Sequence, residues 1–269
     1  MGSGNVKFDD SYLLLGPSRA STFADSLDEA AGRWSHTALA FPEERATYPE
    51  LASRANDLAC GLIALGVEAG EKVGVLISQG VDYFALIFAI AKIGAISVPL
   101  NPRFKAKELR HVISNSDMTA LVASDSLLEM PDVVSMLEET LPSLASAGGI
   151  ELHLAEAPLL RRIVLSGETS RDWVFNFAAL VDLAESVSDE LVLYRRASVA
   201  IRDTAIIMYT SGTTANPKGV MLPHEALVRH GLTIAQTRFD LTKADRVWSA
   251  LPLHHIGGMA FFFTCLAAG

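Results

Sequence analysis

Residues 205–220 read AIIMYTSGTTANPKGV, an apolar run that passes directly into small, hydroxylic and basic residues. The run Ala205–Met208 is typical of a buried strand, and the residues after it can turn several backbone N–H groups and hydroxyls toward one point. Lys218 adds a mobile positive charge suited to phosphate oxygens. The spacing is not that of a Walker A loop, because here Gly212 is followed by Lys218 and then Gly219. The pattern predicts a site that handles the phosphates of a nucleotide triphosphate.

Composition alone would also suit an ordinary Gly/Ser/Thr turn, but Pro217 fixes the approach to Lys218 in this ordered string. The string resembles the phosphate-binding signature of the adenylate-forming superfamily, which contains acyl- and aryl-CoA synthetases, luciferases and peptide-synthetase adenylation domains. Three further segments resemble family elements in the same order: residues 47–51 (TYPEL), 91–103 (AKIGAISVPLNPR) and 251–258 (LPLHHIGG). Four such segments in register, from about residue 23 to the last residue, identify the chain as a member of that superfamily.

The resemblance implies ATP, Mg²⁺ and CoA as cofactors and a carboxylic acid as the substrate. It implies that five residues wrap the β- and γ-phosphates: Thr210, Ser211, Gly212, Thr213 and Thr214. Thr214 is also the predicted Mg²⁺ ligand, and Lys218 is predicted to neutralise phosphate charge as a catalytic residue. In the implied reaction the substrate carboxylate attacks the α-phosphate of ATP and gives an acyl-adenylate and pyrophosphate, and a CoA thiol then displaces AMP. Positioning and electrostatic stabilisation would supply most of the catalysis.

His255 is the second predicted catalytic residue. A histidine beside apolar residues is usually a core residue, but the segment Pro-Leu-His-His-Ile-Gly-Gly matches the block that carries the family's active-site histidine near the substrate carboxylate. His254 is predicted to shape the pocket, and His224 to be structural, capping or orienting the segment after the loop. The other histidines have no ligand spacing that would indicate zinc: His36, His111, His153 and His230.

Two features depart from the family pattern. Ala215 stands where the family usually has glycine, and if that position requires a positive φ the alanine costs about 1 kcal/mol or more. The family's later elements, which include the ribose-binding aspartate and the lid with its catalytic lysine, have no counterpart after His255. We therefore expect an N-terminal portion without the C-terminal lid domain, truncated at residue 269 and inactive or weakly active alone.

Composition predicts a folded enzyme core, since 50% of the 269 residues are hydrophobic and 20% are charged. The net charge of −9 argues against nucleic-acid binding. Cys60 and Cys265 are read as buried free thiols, and with no secretory signal at the start they indicate a cytoplasmic protein. Residues 81–100 approach the length of a membrane span, but Asp82 and Lys92 interrupt them. A buried helix followed by a buried strand is therefore predicted there.

Helical and strand patterns alternate along the chain, which predicts an α/β fold with a doubly wound, mainly parallel sheet. Residues 1–20 are predicted to be a mobile N-terminus or tag, 21–184 a first α/β subdomain, 185–203 a polar join, and 204–269 the start of a second subdomain that carries the phosphate-binding loop. In this last part Val247–Leu251 is predicted to begin a second, unfinished sheet. Its edge is predicted to expose four apolar side chains and so to favour self-association: Phe261, Phe262, Phe263 and Leu266.

These observations predict the N-terminal portion of an ATP-dependent, Mg²⁺-dependent acyl- or aryl-CoA synthetase of the kind used in fatty acid metabolism. Its predicted partners are a carboxylic acid, ATP and CoA, with no nucleic acid and no membrane span. Two alternatives stay open. One is an adenylation domain that loads a carrier protein, and the other is a non-catalytic nucleotide-binding fragment.

Overall fold

The computed structural model describes residues 21–169, 171–210 and 216–269. Its strands, in chain order, are β1 (Thr37–Ala40), β2 (Arg45–Thr47), β3 (Lys72–Leu76), β4 (Ile96–Pro99), β5 (Met118–Ser124), β6 (Arg162–Ser166), β7 (Val174–Asn176), β8 (Thr204–Thr210) and β9 (Lys218–Pro223). Its α-helices are α1 (Phe23–Arg33), α2 (Tyr48–Ala64), α3 (Val81–Lys92), α4 (Ala106–Asn115), α5 (Val133–Thr140), α6 (Phe177–Asp182), α7 (Asp189–Ala197), α8 (His224–Ile234) and α9 (Ile256–Ala268). Short 3₁₀ turns cover Pro142–Ser146 and Leu183–Ser186, and a π-helical turn covers Ala235–Phe239.

The main sheet of the described residues has seven strands in the order β7-β6-β5-β3-β4-β8-β9. Its first six strands are parallel, and only β9 runs antiparallel to its neighbour. All seven residues of β5 are buried, as expected for a parallel strand covered by helices on both faces. The predicted doubly wound α/β class is therefore confirmed. Its parallel strands bring their carboxyl ends to one edge, where such sheets bind ligands.

Alternate residues of β8 face two different cores. Ile206 and Met208 pack with α1, α2 and α3, whereas Ile207 and Tyr209 pack with α4 and α5. Because side chains alternate along a strand, the next residue, Thr210, points to the same side as Met208.

Two helices begin with capping boxes that can be recognised from the spacing of residues in the sequence. The Thr22 side chain accepts a hydrogen bond from the backbone N–H of Asp25, whose carboxylate accepts one from the backbone N–H of Thr22. Thr47 and Glu50 make the same reciprocal pair at the start of α2. The segment 47–51 that resembles a family element is thus a helix N-terminus.

The segment that imitates a membrane span folds as predicted, into the 12-residue α3 followed by β4. In the described part of the chain, no helix has both the length and the apolar character needed to cross a bilayer.

The C-terminal part of the described chain differs from expectation. The predicted strand at Val247–Leu251 is wrong, because those residues form no strand and Trp248 is 86% exposed. β8 and β9 instead extend the main sheet beside β4. A strand needs a neighbour to pair its backbone groups, and no described strand lies beside 247–251.

The predicted exposure of the aromatic run in α9 is also wrong in part. Phe263 and Leu266 are buried, and the Phe263 ring meets that of Phe23 edge to face at 4.7 Å. Phe262 is half-buried, and its ring centroid lies 4.2 Å from that of Phe84. α9 therefore packs onto α1 and α3. Self-association stays a prediction, but exposure of Phe263 and Leu266 no longer supports it.

The predicted join at 185–203 contains α7, which ion pairs link to α1, and α1 is linked in the same way to α3. Arg196 binds Asp25 at 3.0 Å and also binds Asp28. Asp28 in turn accepts from Nζ of Lys92 at 2.7 Å, and the Lys92 side chain is only 4% exposed. One carboxylate thus serves two cations from two helices. The subdomain boundaries at this join stay a prediction.

His224 is structural, as predicted. Its ring is buried, and its Nδ1 accepts the N–H of Phe23 at 3.2 Å. That N–H begins α1 and has no partner within the helix. Burial lowers the pKa of His224 from 6.5 to about 4, against the opposing pull of Asp203 and Asp25. The neutral ring therefore completes the N-terminus of α1 from more than 200 residues away.

Acidification is expected to weaken the fold through His224. Its folded-state pKa lies below its unfolded value, so its contribution is complete above pH 6.5 and is lost as the pH falls toward about 4. Between pH 7 and pH 5 the expected loss in the free energy of unfolding is about 2 kcal/mol. His224→Asn keeps an acceptor for Phe23 but does not titrate. Urea unfolding should show a loss about 2 kcal/mol smaller in that variant, and equal losses in both proteins would contradict the assignment.

Candidate functional site

The centre of the candidate site is the pair of strands β8 and β9. They run antiparallel, with Thr210 opposite Lys218, and the Thr210 hydroxyl donates to the Lys218 carbonyl at 3.5 Å. Both residues are exposed. The structure therefore brings two of the predicted phosphate-binding residues together at the carboxyl edge of the sheet. The other predicted members, Ser211, Gly212, Thr213 and Thr214, lie outside the described residues, as does Ala215, so their roles stay predictions.

Gly219 has a packing role in this pair of strands. It lies opposite Tyr209, and an added Cβ would stand 2.9 Å from Ile207 Cγ2 and 3.1 Å from Tyr209 Cζ. Only glycine leaves room for that ring against the backbone of β9. Packing against the Tyr209 ring is thus a sufficient reason for glycine at position 219, and no contact with phosphate is needed to explain it.

His255 lies at the residue before α9, exposed, and its side chain makes no capping hydrogen bond. The free N–H groups and the partial positive charge of a helix N-terminus attract anions, a carboxylate among them. Gly258 permits this start, since a Cβ there would lie 2.5 Å from the Pro252 carbonyl oxygen. Imidazole and helix N-terminus together form a suitable receptor for a carboxylate.

His254 places this helix start relative to the sheet. Its ring centroid lies 4.5 Å from that of His255. Burial lowers the pKa of His254 to about 4, helped by His255 and Arg103 and opposed by Glu129. Arg103 and Glu129 lie in the loops that follow β4 and β5. Gln79, in the loop after β3, lines one cavity with Leu253 and Gly258, so the start of α9 lies at the carboxyl edge of the sheet, the edge that also holds Thr210 and Lys218.

A cavity of about 170 Å³, lined mainly by apolar side chains, lies beside the first turns of α9. Its walls are chiefly aromatic and aliphatic, with two polar side chains: Phe41, Phe84, Leu253, Phe261 and Phe262, with Gln79 and Ser249. Gln79 belongs to the loop after β3, so the cavity reaches the carboxyl edge. Neither His254 nor His255 lines it among the described residues, so the predicted pocket-shaping role of His254 finds no direct contact there.

No group of three His, Cys, Asp or Glu side chains in residues 21–169, 171–210 and 216–269 could hold a metal ion. Mg²⁺ usually binds through substrate phosphates and retained waters, so it would enter such a site as part of the Mg·ATP substrate.

One residue beside the site was missed by sequence reasoning. His111, on α4, lies with its Nε2 3.0 Å from the carbonyl oxygen of Pro217, the residue before Lys218. Nothing in the sequence links positions 106 residues apart. The only available signal was the i, i+4 spacing of His111 and Asn115, which puts them on one face of a helix.

The fold and these edge residues define a doubly wound α/β protein with a candidate anion site. A family model described as AMP-binding enzyme matches residues 27–269, and the chain belongs to this family. The predicted superfamily membership is confirmed.

Relatives and solved structures agree. The chain is 30% identical over 255 residues to the protein named "Putative acyl-CoA synthetase YngI" of Bacillus subtilis (strain 168), covering 93% of this chain and 46% of YngI. It is 30% identical over 233 residues to the long-chain-fatty-acid–[acyl-carrier-protein] ligase AEE15, chloroplastic, of Arabidopsis thaliana, covering 83% of this chain and 30% of that protein. The crystal structure of a long-chain-fatty-acid-CoA ligase (FadD1) from Archaeoglobus fulgidus superposes with a TM-score of 0.72 at 26% identity, covering 93% of this chain and 46% of that one. The chain thus spans less than half of each.

Proposed function

We propose that the chain acts in the ATP-dependent activation of a carboxylic acid as an acyl-adenylate, the first half of an acyl-CoA ligase reaction. The observation that supports this most is the presence of Lys218 and His255 at one edge of the sheet, beside an apolar cavity. A cation for phosphate, a receptor for carboxylate and a cavity for the body of the acid are the three parts that such a reaction needs.

Lys218 serves the nucleotide in this proposal. A carboxylate oxygen attacks the α-phosphorus, the bond from that phosphorus to the β-phosphate bridging oxygen breaks, and pyrophosphate leaves with the electron pair. Negative charge grows on the leaving group, so the exposed ammonium of Lys218 stabilises it, and the Thr210 hydroxyl adds a polar contact beside it. Neither residue exchanges a proton in this step.

His255 and the start of α9 serve the acid. Imidazole N–H and helix N–H groups hold the carboxylate, while the apolar cavity receives the rest of the molecule. The cavity volume of about 170 Å³ is below the usual range for drug-sized ligands. It would thus receive only part of the acid. Because the side chains that line it are mainly apolar, the proposed substrate is a carboxylic acid whose body next to the carboxylate is apolar.

The proposed acceptor is the thiol of CoA. The thiol loses its proton to solvent, its sulfur bonds to the acyl carbon, the bond from that carbon to the AMP oxygen breaks, and AMP leaves with that electron pair. A carrier-protein thiol is the second candidate, because the relative AEE15 is named as a ligase for acyl-carrier protein. The cytoplasm is the proposed compartment, since both cysteines are free thiols.

Pyrophosphate release from Mg·ATP by this chain, measured with a panel of aliphatic and aromatic acids, tests the proposal. Release is expected only when an acid is present. His255→Ala is expected to lower the rate roughly tenfold or more, because a group that orients the carboxylate is lost.

The matched control is His230→Ala, which removes an exposed imidazole from α8 and should leave the rate unchanged. Calorimetric binding of Mg·ATP without release on any acid would contradict activation by this portion alone. The same acid panel on a longer chain that carries the lid domain then separates an incomplete enzyme, which gains release, from the non-catalytic nucleotide-binding alternative, which does not. With release established, adding CoA or a carrier protein and detecting the thioester decides the acceptor.

A further inference from the structure

One face of α4 is hydrogen-bonded to both ends of the segment that joins β8 to β9. His111 and Asn115 are four residues apart and therefore share a face of the helix. The Tyr209 hydroxyl donates to Asn115 Oδ1 at 2.7 Å, and His111 Nε2 lies 3.0 Å from the Pro217 carbonyl oxygen. The same short helix thus holds two points that are close in space but eight residues apart in sequence.

The two held residues are the direct neighbours of the candidate phosphate-binding residues. Tyr209 precedes Thr210, and Pro217 precedes Lys218. Pro217 is buried and has no N–H, so its carbonyl is the only hydrogen-bonding group it has. A carbonyl only accepts, and the Nε2 of His111 therefore carries the hydrogen.

The alternation of side chains along a strand explains why α4 contacts Tyr209 and Pro217 and not Thr210 and Lys218 themselves. Tyr209 points toward α4, so Thr210 points to the opposite side of the sheet. Lys218 is the direct partner of Thr210 across the two strands and is exposed. α4 can therefore fix the backbone on either side of the site without occupying the space where a ligand would bind.

We propose that His111 and Asn115 are positioning residues for the phosphate site, which set where Lys218 and Thr210 meet the nucleotide. This inference rests on the proposed function, because it takes Lys218 as the phosphate-binding cation. His111 does not touch the nucleotide in this arrangement. Its effect passes through the carbonyl of Pro217 to the residue that does.

The test is Mg·ATP affinity, measured by calorimetry on the whole chain and its variants. His111→Leu keeps an apolar body but removes the donor, and it is expected to weaken binding about tenfold through the orphaned, buried carbonyl. His111→Gln restores a side-chain N–H and is expected to recover most of that affinity. Tyr209→Phe removes only the hydroxyl, keeps the ring over Gly219, and is expected to weaken binding in the same direction.

The control is His153→Leu, which removes an exposed histidine from the loop before β6, at the opposite edge of the sheet. Full affinity in His111→Leu, with affinity lost in Lys218→Ala, would overturn the positioning role and leave the proposed function intact. Weak binding in both His111→Leu and His111→Gln would overturn it as well, since only the donor is proposed to matter. Unchanged binding in Lys218→Ala would instead overturn the phosphate site itself. If His111→Leu does not fold, Tyr209→Phe decides the question.

Discussion

Lys218→Ala is expected to lower the affinity for Mg·ATP about 100-fold. Lys218 is exposed at the first position of β9, opposite Thr210, so its side chain is accessible to an incoming anion. A hydrogen bond between an ammonium and a phosphate oxygen is worth about 1.5–3 kcal/mol, more than a neutral one, because both partners are charged. Acid-dependent pyrophosphate release should fall by a similar factor.

Two comparisons isolate the charge of Lys218. Lys218→Arg retains a cation but changes its shape from a point charge to a planar fork, so partial recovery is expected. Lys72→Ala removes an equal charge from the first residue of β3, at the opposite edge of the sheet, and should leave binding unchanged. Equal affinity for Mg·ATP in wild type and Lys218→Ala would contradict the proposal that the nucleotide binds at this edge of the sheet. A steeper fall of affinity with salt in wild type than in Lys218→Ala would support the electrostatic explanation.

Asp28→Ala is expected to destabilise the fold by about 3–5 kcal/mol, because it leaves Lys92 charged and buried without a partner. The Lys92 side chain is 4% exposed, and both oxygens of Asp28 accept from its Nζ, at 2.7 and 2.8 Å. Arg196 also loses one of its two carboxylates, although it keeps Asp25. Chemical denaturation should show a lower midpoint with an unchanged slope.

The ion pair Arg54–Asp82 supplies the matched control. It is bidentate, but its side chains are 31% and 43% exposed, so Asp82→Ala should cost less than about 1 kcal/mol. A double variant, Asp28→Ala with Lys92→Met, should recover a large part of the lost free energy of unfolding, because it also removes the charge that Asp28→Ala alone leaves buried and unpaired. If both aspartate variants lost the same amount, burial of Lys92 would not be the cause.

The sheet and its helices were predictable because their signals are local. Apolar runs bounded by glycine and polar residues mark β3, β4 and β5, and the centre of β5, residues 120–123, is such a continuous apolar run. Thr22 with Asp25 is a capping box that can be recognised from its spacing alone. Lys218 was found for the same reason, as part of one continuous string.

The features that were missed depend on distant partners. His111 sits on an amphipathic helix like many others, and only the fold reveals the Pro217 carbonyl beside it. Val247–Leu251 has the residue types of a strand, yet no described strand lies next to it. From the sequence, the aromatic run of α9 was predicted to be exposed, whereas in the fold Phe263 packs against Phe23. Propensity and pattern cannot specify a partner that lies 100–240 residues away.

The dependence of α1 on late residues has a consequence for synthesis of the protein. Its first N–H is satisfied by His224, and Phe23 is enclosed between Phe88 and Phe263. At about 5–20 residues per second, a ribosome needs roughly 10–40 s after making Phe23 to produce the 201 further residues up to His224. During that time Phe23 and Leu27 have only part of their final surroundings. The nascent chain should therefore present an exposed apolar helix to chaperones, and α1, although early in the chain, should gain protection from hydrogen exchange only after α8 and α9 have been made.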